Sequence, residues 1–157
     1  MKSVRIPDFL LDQIRDHSRE AYPEECCGFL LAPALERSPS EVRQVDAIER
    51  ARNDFDGARR RRFAIRPEDL RDLERRMDLA GRAVVGFYHS HPDHPANPSE
   101  YDRDHAWPWY SYLIASVTAT ATGTIAAFEL DAETSVFHEV PLLTSGATER
   151  GVRVAHG

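Results

Sequence analysis

The stretch AVVGFYHSH, residues 83–91, joins a predicted buried strand to a pair of histidines. Its first six residues form an apolar run rich in β-branched and aromatic side chains, which predicts a buried strand over 83–88. Side chains alternate along a strand, so His89 and His91 face the same side. Both imidazoles can therefore reach one metal ion.

The segment that follows supplies a candidate third ligand. Residues 92–98 form a proline-containing turn, and Ser99-Glu100-Tyr101-Asp102 then has the capping-box pattern that begins a short helix. The turn reverses the chain and brings Asp102 back toward the strand end. Two imidazoles and one carboxylate leave the fourth tetrahedral position of zinc to water, as in catalytic sites. Ser99 and Asp102 have an equally good local role as a helix-cap pair.

The complete spacing is more specific than any part of it. With seven histidines, a chance His-x-His is expected about 0.3 times, whereas adding Ser99 and Asp102 lowers this to about one in 600. Four competing ligands lie close by: Asp93, His94, Asp104 and His105. Asp102 and Asp104 lie about 200° apart on a helix, so only one can face the histidines. Asp93 and His94 are more typical of a solvated loop, and His105 is a candidate hydrogen-bond partner behind the ligands.

The rest of the chain predicts an α/β or α+β fold with one mixed sheet covered by helices. Helical spacing predicts helices over 7–21 and from Pro67 to Ala80, where Gly81 suits a left-handed stop. A surface loop is predicted over 50–62, since this segment lacks periodicity. Strands are predicted over 26–32, 42–48, 110–117, 124–130 and 136–142. We predict one domain over residues 1–143 and a polar tail over 144–157.

Composition excludes several classes of protein. A chain of 157 residues with 41% hydrophobic and 29% charged residues is typical of one globular domain. The net charge of −6 disfavours nucleic acid as a partner. No apolar run approaches the ~20 residues of a spanning helix, and no secretory segment is evident, so a cytoplasmic location is predicted. The adjacent Cys26 and Cys27 are unsuited to a mutual disulfide and are predicted to be reduced, buried thiols.

Two further features have alternative interpretations. A zinc hydrolase needs a base, and Glu24 or Glu25, just before a predicted buried strand, can provide it. Adjacent strand residues face opposite sides, so at most one serves, and local sequence does not decide between them. The arginines at 59–62 are either a solvated loop or a contact for an acidic partner.

The motifs resemble those of one known family. GFYHSHP at 86–92 with Ser99 and Asp102 is similar to the His-x-His-x7-Ser-x2-Asp motif of JAMM metalloproteases, the catalytically competent MPN domains. PEECCG at 23–28 resembles that family's Pro-x-Glu-x-Cys-Gly segment, with Glu25 at the glutamate position. Asn53, Arg62-Phe63 and the helix from Pro67 also resemble family positions, so the likeness covers about residues 4–142.

The resemblance implies a mechanism and a fold. His89, His91 and Asp102 would ligate one zinc ion, Glu25 would activate water, and Ser99 would stabilise the oxyanion. The fold would be a mixed sheet between helices, similar to cytidine deaminases. Deaminase chemistry is set aside because the chain has neither His-x-Glu nor Pro-Cys-x-x-Cys.

The resemblance also implies a class of substrate. The chain shows none of the obvious insertions of polyubiquitin-cleaving members, and it is more similar to short stand-alone prokaryotic members. Their implied substrates are ubiquitin-like sulfur-carrier proteins, cut at a C-terminal Gly-Gly tail. Two alternatives stand beside this one: a general small-peptide zinc hydrolase and a non-catalytic MPN scaffold.

Overall fold

Two β-sheets and three α-helices make up the part of the chain that the structure describes, residues 2–38 and 41–144 of a computed structural model. The elements in chain order are β1 (Ser3–Arg5), α1 (Asp8–Ala21), β2 (Cys27–Pro33), a 3-10 turn (Ala34–Arg37), β3 (Val42–Gln44), β4 (Ala47–Ala51), α2 (Pro67–Leu79), β5 (Arg82–Pro92), α3 (Glu100–Asp104), β6 (Ser111–Val117), β7 (Thr122–Leu130), β8 (Phe137–Val140) and β9 (Leu142–Leu143).

The larger sheet is mixed, as the sequence predicts. Its six strands run in the order β4-β2-β5-β6-β7-β8. β5 pairs antiparallel with β2 and parallel with β6, and the remaining pairs are antiparallel. Every residue of β5 after the first is buried, because its apolar run lies in the interior of the sheet. The predicted strand thus extends through both histidines to Pro92.

Helices cover the two faces of this sheet. α1 packs Leu11 and Ile14 against one face, in a cluster with Val85 and Tyr88 of β5. α2 lies on the opposite face, where Leu73 packs with side chains that include Phe87. Odd-numbered residues at the end of β5 share the face of Phe87, so the histidine pair lies on the α2 side of the sheet.

The prediction of a single strand over 42–48 is wrong. β3 pairs with β1 in a second, three-stranded parallel sheet of order β3-β1-β9, whereas β4 pairs with β2 in the large sheet. The chain changes sheets between them: the amide of Val45 donates to the Arg5 carbonyl, and that of Asp46 donates to the Leu31 carbonyl. The predicted strand over 136–142 is likewise divided into β8 and β9.

Two smaller predictions, on Gly81 and on the cysteine pair, are confirmed. Gly81 follows α2 with a φ of +72°, the left-handed conformation that ends helices. Cys26 and Cys27 are free and buried. In the described part of the chain, no helix has the length and apolar character needed to cross a membrane. The predicted tail from residue 145 onward lies outside the described residues, so the domain boundary stays a prediction.

Candidate metal centre

β5 places two imidazoles side by side on the α2 face of the sheet. The Nε2 atoms of His89 and His91 are 3.1 Å apart, and both side chains are buried. This is the arrangement predicted from two histidines two residues apart on a strand.

α3 brings a carboxylate to the same point. Its first turn is a full capping box: Ser99 Oγ accepts from the Asp102 amide at 3.0 Å, and Asp102 Oδ2 accepts from the Ser99 amide at 2.9 Å. The same Oδ2 lies 3.1 Å from Nε2 of His89 and 3.1 Å from Nε2 of His91. The two sequence interpretations of Asp102 are therefore compatible, since one carboxylate caps the helix and faces the histidines.

The geometry of the three atoms fits a metal ion. Tetrahedral bonds of 2.0–2.1 Å require ligand atoms about 3.3 Å apart, close to the observed 3.1 Å separations. His91 Nδ1 lies 2.9 Å from the Pro95 carbonyl, so it donates there and leaves the Nε2 lone pair free. Within residues 2–38 and 41–144, these three residues form the group able to hold a metal.

Burial and charge set the protonation states of this cluster. Burial lowers the pKa of His89, which favours the neutral ring that binds metals. Burial acts to raise the pKa of Asp102, but the two histidines and the Ser99 amide together hold it well below its usual range. His91 is also buried, yet its bonds to Asp102 and to the Pro95 carbonyl raise its pKa. The carboxylate is therefore ionised and available as a ligand.

The pairing of β2 with β5 places the two glutamates differently relative to the histidines. Cys27 pairs with His89. At the next position, the Cys26 amide donates to Ser90 Oγ at 2.8 Å, and the Cys26 carbonyl accepts from the Ser90 amide at 3.1 Å. One residue further, Glu25 falls opposite His91 on the same face. Glu24 is exposed, whereas Glu25 is only 5% exposed.

The Glu25 carboxyl is buried close to the cluster. Its Oε1 is buried and has no hydrogen-bond partner among the described residues. Burial raises the pKa of this carboxyl to about 8, with His91 opposing the shift and Asp102 adding to it. A carboxyl whose pKa lies near neutrality matches the requirement for a general base.

The loop between β4 and α2 holds Glu25 from outside the sheet. Asn53 Nδ2 donates to the Glu25 carbonyl at 3.0 Å, and the Arg59 carbonyl accepts from the Glu25 amide at 2.7 Å. Phe63 of the same loop stacks on the His89 ring, with centroids 4.5 Å apart. Sequence reasoning assigned no role to these contacts. The family resemblance at Asn53 and Phe63 was the only available signal.

The competing ligands do not join the cluster. Asp93 accepts from the Tyr22 hydroxyl at 2.8 Å, and His94 is exposed. Asp104 is exposed as well, while His105 bonds to the Tyr101 carbonyl and stacks on the Tyr101 ring. The prediction that His105 supports a ligand is therefore wrong, and the Pro95 carbonyl takes that position behind His91.

The arginine segment is mostly solvated. Arg60 and Arg61 are exposed, as the loop interpretation predicts. Arg62 lies over the Tyr101 ring, with its guanidinium carbon 4.9 Å from the centroid. A contact of this segment with an acidic partner stays a prediction.

A mixed sheet with a buried glutamate facing a His-His-Asp cluster defines the JAMM type of MPN domain, whose members are hydrolases. Residues 7–131 match the family model of prokaryotic homologs of the JAB domain, and the chain belongs to this family. The predicted family and fold class are confirmed.

Relatives in other organisms agree with this assignment. The chain is 36% identical over 110 residues to a protein named desampylase from Haloferax volcanii, covering 67% of this chain and 74% of that protein. It is also 36% identical to a Salinibacter ruber protein of known solution structure, with a TM-score of 0.66 over 100% and 99% of the two chains. A JAB1/MPN domain protein from Archaeoglobus fulgidus, 19% identical, shares the fold with a TM-score of 0.56 over 93% and 100% of the two chains.

Proposed function

We propose that this chain is a zinc-dependent isopeptidase that hydrolyses the amide bond at the C-terminal tail of a ubiquitin-like protein, with sulfur-carrier proteins and their adducts as its substrates. The observation that carries the proposal is the placement of the buried Glu25 carboxyl, whose Oε1 has no hydrogen-bond partner among the described residues, beside three converging ligand atoms. The desampylase name of the Haloferax relative supports the substrate class. A cytoplasmic location stays a prediction.

The donor set favours zinc. Two imidazole nitrogens and one carboxylate oxygen are a common set of protein ligands for catalytic zinc. When bound by His89, His91 and Asp102, zinc would supply Lewis acidity, which polarises a carbonyl and lowers the pKa of water.

The chain's own residues would carry the proton. Glu25 accepts a proton from the attacking water while the water oxygen bonds to the amide carbonyl carbon. It then gives that proton to the nitrogen as the carbon–nitrogen bond breaks, so that an acid and an amine are released. A cation held beside Glu25 would lower its pKa from about 8 and keep more of it ionised at neutral pH.

Ser99 would assist at the oxygen of the substrate carbonyl. Its Oγ accepts from the Asp102 amide, which leaves the hydroxyl hydrogen free to be donated elsewhere. Ser99 is exposed, so its hydroxyl is accessible to a substrate. A donor directed at a developing oxyanion contributes through electrostatic stabilisation.

Paired glutamate variants test the proposal. Glu25→Gln is expected to keep zinc and to lose about 10² to 10⁴ in kcat on an amide adduct of a ubiquitin-like carrier protein. Glu24→Gln, at the exposed neighbouring position, is the matched control and is expected to retain full activity. Zinc per chain is measured on both proteins by elemental analysis. Undiminished activity in Glu25→Gln would remove Glu25 from the mechanism.

Substrate choice is tested with the same enzyme. Cleavage of the folded carrier adduct but not of its free tail peptide would favour a carrier-specific isopeptidase. Equal cleavage of both would favour a general small-peptide hydrolase. Absence of zinc after dialysis against the ion, together with absence of cleavage, would favour a scaffold.

A further inference from the structure

An apolar cavity opens beside two of the ligands. It has a volume of about 370 Å³, within the range of ligand-binding pockets, and His89 and Asp102 form part of its wall. Most of the other lining residues are aromatic or aliphatic, among them Phe63, Phe87, Trp107, Tyr112, Ile114 and Phe137. Nothing in the hydrolytic mechanism described above uses this space.

The cavity and the base lie on opposite flanks of β5. Glu25 precedes β2, the neighbour of β5 on one side. On the other side of β5, the cavity is lined by Ile114 of β6, which pairs with His89, and by Phe137 of β8. Residues 63–65 of the β4–α2 loop complete its wall. A substrate bound across the ligands therefore has one end near Glu25 and the other end in the cavity.

This geometry assigns the cavity to the acyl side of the scissile bond, an assignment that rests on the proposed function. Glu25 must reach the departing nitrogen to protonate it, so the amine leaves on the β2 flank. The segment that carries the carbonyl then lies on the β6 flank, against the cavity. For an isopeptidase, that segment is the C-terminal tail of the ubiquitin-like protein.

The reach of the cavity sets which tail residue fills it. β5 and β8 are separated by three strand spacings, roughly 14 Å. An extended peptide advances about 3.4 Å per residue, so residues up to about four positions before the scissile carbonyl come within reach. Glycines next to that carbonyl would leave the cavity empty, because they have no side chain.

We propose that the cavity binds a bulky apolar side chain, such as leucine or phenylalanine, in the two to four residues before the scissile carbonyl. The enzyme therefore selects tails by an apolar residue upstream of the cut. Burial of such a side chain favours the matching substrate by roughly tenfold to a hundredfold.

A set of tail peptides tests this selectivity. Acetylated tetrapeptides joined to aminomethylcoumarin through a C-terminal glycine are prepared with Leu, Phe, Ala or Glu at the second, third or fourth position from the cut. At one of these positions, Leu and Phe are expected to give kcat/KM at least tenfold above Ala, with Glu lowest. Equal kcat/KM for Leu and Ala at all three positions would overturn the cavity proposal and leave the hydrolase intact.

Two exposed tryptophans provide a matched pair of variants. Trp107 lines the cavity, whereas Trp109, two residues further, lines a different surface pocket. Trp107→Ala is expected to remove most of the preference for Leu over Ala, and Trp109→Ala is expected to keep it. Ala106 also lines the cavity, and Ala106→Leu fills part of it. This variant is expected to lose the same preference for Leu over Ala, and it replaces Trp107→Ala if that protein fails to fold.

Calorimetry separates failure of the cavity from failure of the chemistry. The same peptides as C-terminal amides are titrated into Glu25→Gln protein. Binding of the Leu peptide tenfold tighter than the Ala peptide, abolished by Trp107→Ala, would uphold the cavity even if no peptide is cleaved. The proposed function fails only if the folded carrier adduct is not cleaved either. Absence of such discrimination in both binding and cleavage overturns the cavity.

Discussion

Ser99 caps a helix and is proposed to stabilise the oxyanion, and a pair of substitutions can separate these two roles. Its Oγ accepts from the Asp102 amide at 3.0 Å and so caps α3. Its hydroxyl hydrogen is proposed to stabilise the oxyanion. Replacement by alanine removes both contributions. Replacement by glycine removes the hydroxyl as well, but glycine is itself tolerated at helix N-caps.

The expected magnitudes differ enough to be measured. Loss of an N-cap costs about 1 kcal/mol with alanine and a few tenths of a kcal/mol with glycine. Loss of an oxyanion donor costs about 10² to 10³ in kcat. Even if the whole 1 kcal/mol appeared as local opening of α3, the closed population would change by only about fivefold. Loss of the cap therefore cannot account for a hundredfold loss of rate.

The assay combines kinetics with unfolding. We expect Ser99→Gly and Ser99→Ala both to lose at least a hundredfold in kcat on the carrier adduct. In urea unfolding, Ser99→Ala should lose about 1 kcal/mol of stability and Ser99→Gly only a few tenths of a kcal/mol. Ser99→Thr retains both the hydroxyl and the capping oxygen and serves as the control. If Ser99→Gly keeps the wild-type rate, or if rate follows stability across the three variants, Ser99 is a cap and has no part in the chemistry.

Three further predictions concern stability. His17 is packed against Tyr88, its Nδ1 lies 2.6 Å from the hydroxyl, and burial lowers its pKa from 6.5 to about 4. The unfolded chain then binds more protons between these values, so the full shift would correspond to about 3 kcal/mol. Because the ring is only partly buried and solvent screens it, we expect stability to fall by about 2 kcal/mol as the pH drops from 6.5 to 4. His17→Gln should reduce this pH dependence of stability in urea titrations. Gly28→Ala should lower the free energy of unfolding in urea by about 1–3 kcal/mol, because the added Cβ would lie 2.2 Å from the fully buried Tyr88 ring. An unchanged urea midpoint would contradict this close approach. Zinc at a hundred times its Kd should stabilise the chain by about 2.7 kcal/mol in thermal unfolding, and His91→Ala should abolish the shift.

Local patterns predicted the elements that carry strong periodicity. The apolar run before His89 and the stripe of α2 from Pro67 are long enough to specify a strand and a helix by themselves. β1 and β9 have only three and two residues, too few for any periodic signal. The change of sheet at Val45 is fixed by its bond to Arg5, a distant partner that no local window contains.

The sequence likewise predicted the part of the candidate site that lies in one short segment, but not the part that depends on contacts between distant residues. The spacing of His89, His91, Ser99 and Asp102 lies within one short segment, so the sequence alone predicted their convergence. The choice of Glu25 over Glu24 depends on the register of β2 against β5, which is a long-range property. The Pro95 carbonyl behind His91 is a backbone group and leaves no signal in residue type.

The pairing of β2 with β5 has a consequence for how the chain reaches its active form. Cys26 and Ser90, which close that pairing next to the site, are 64 residues apart along the chain. Contacts of such separation form slowly, because the loop between them must close first. The glutamate, which emerges first, and the histidine pair therefore stay apart until β2 pairs with β5, and hydrolytic competence begins only when the central sheet is assembled. Activity should thus recover in step with the slowest phase of refolding.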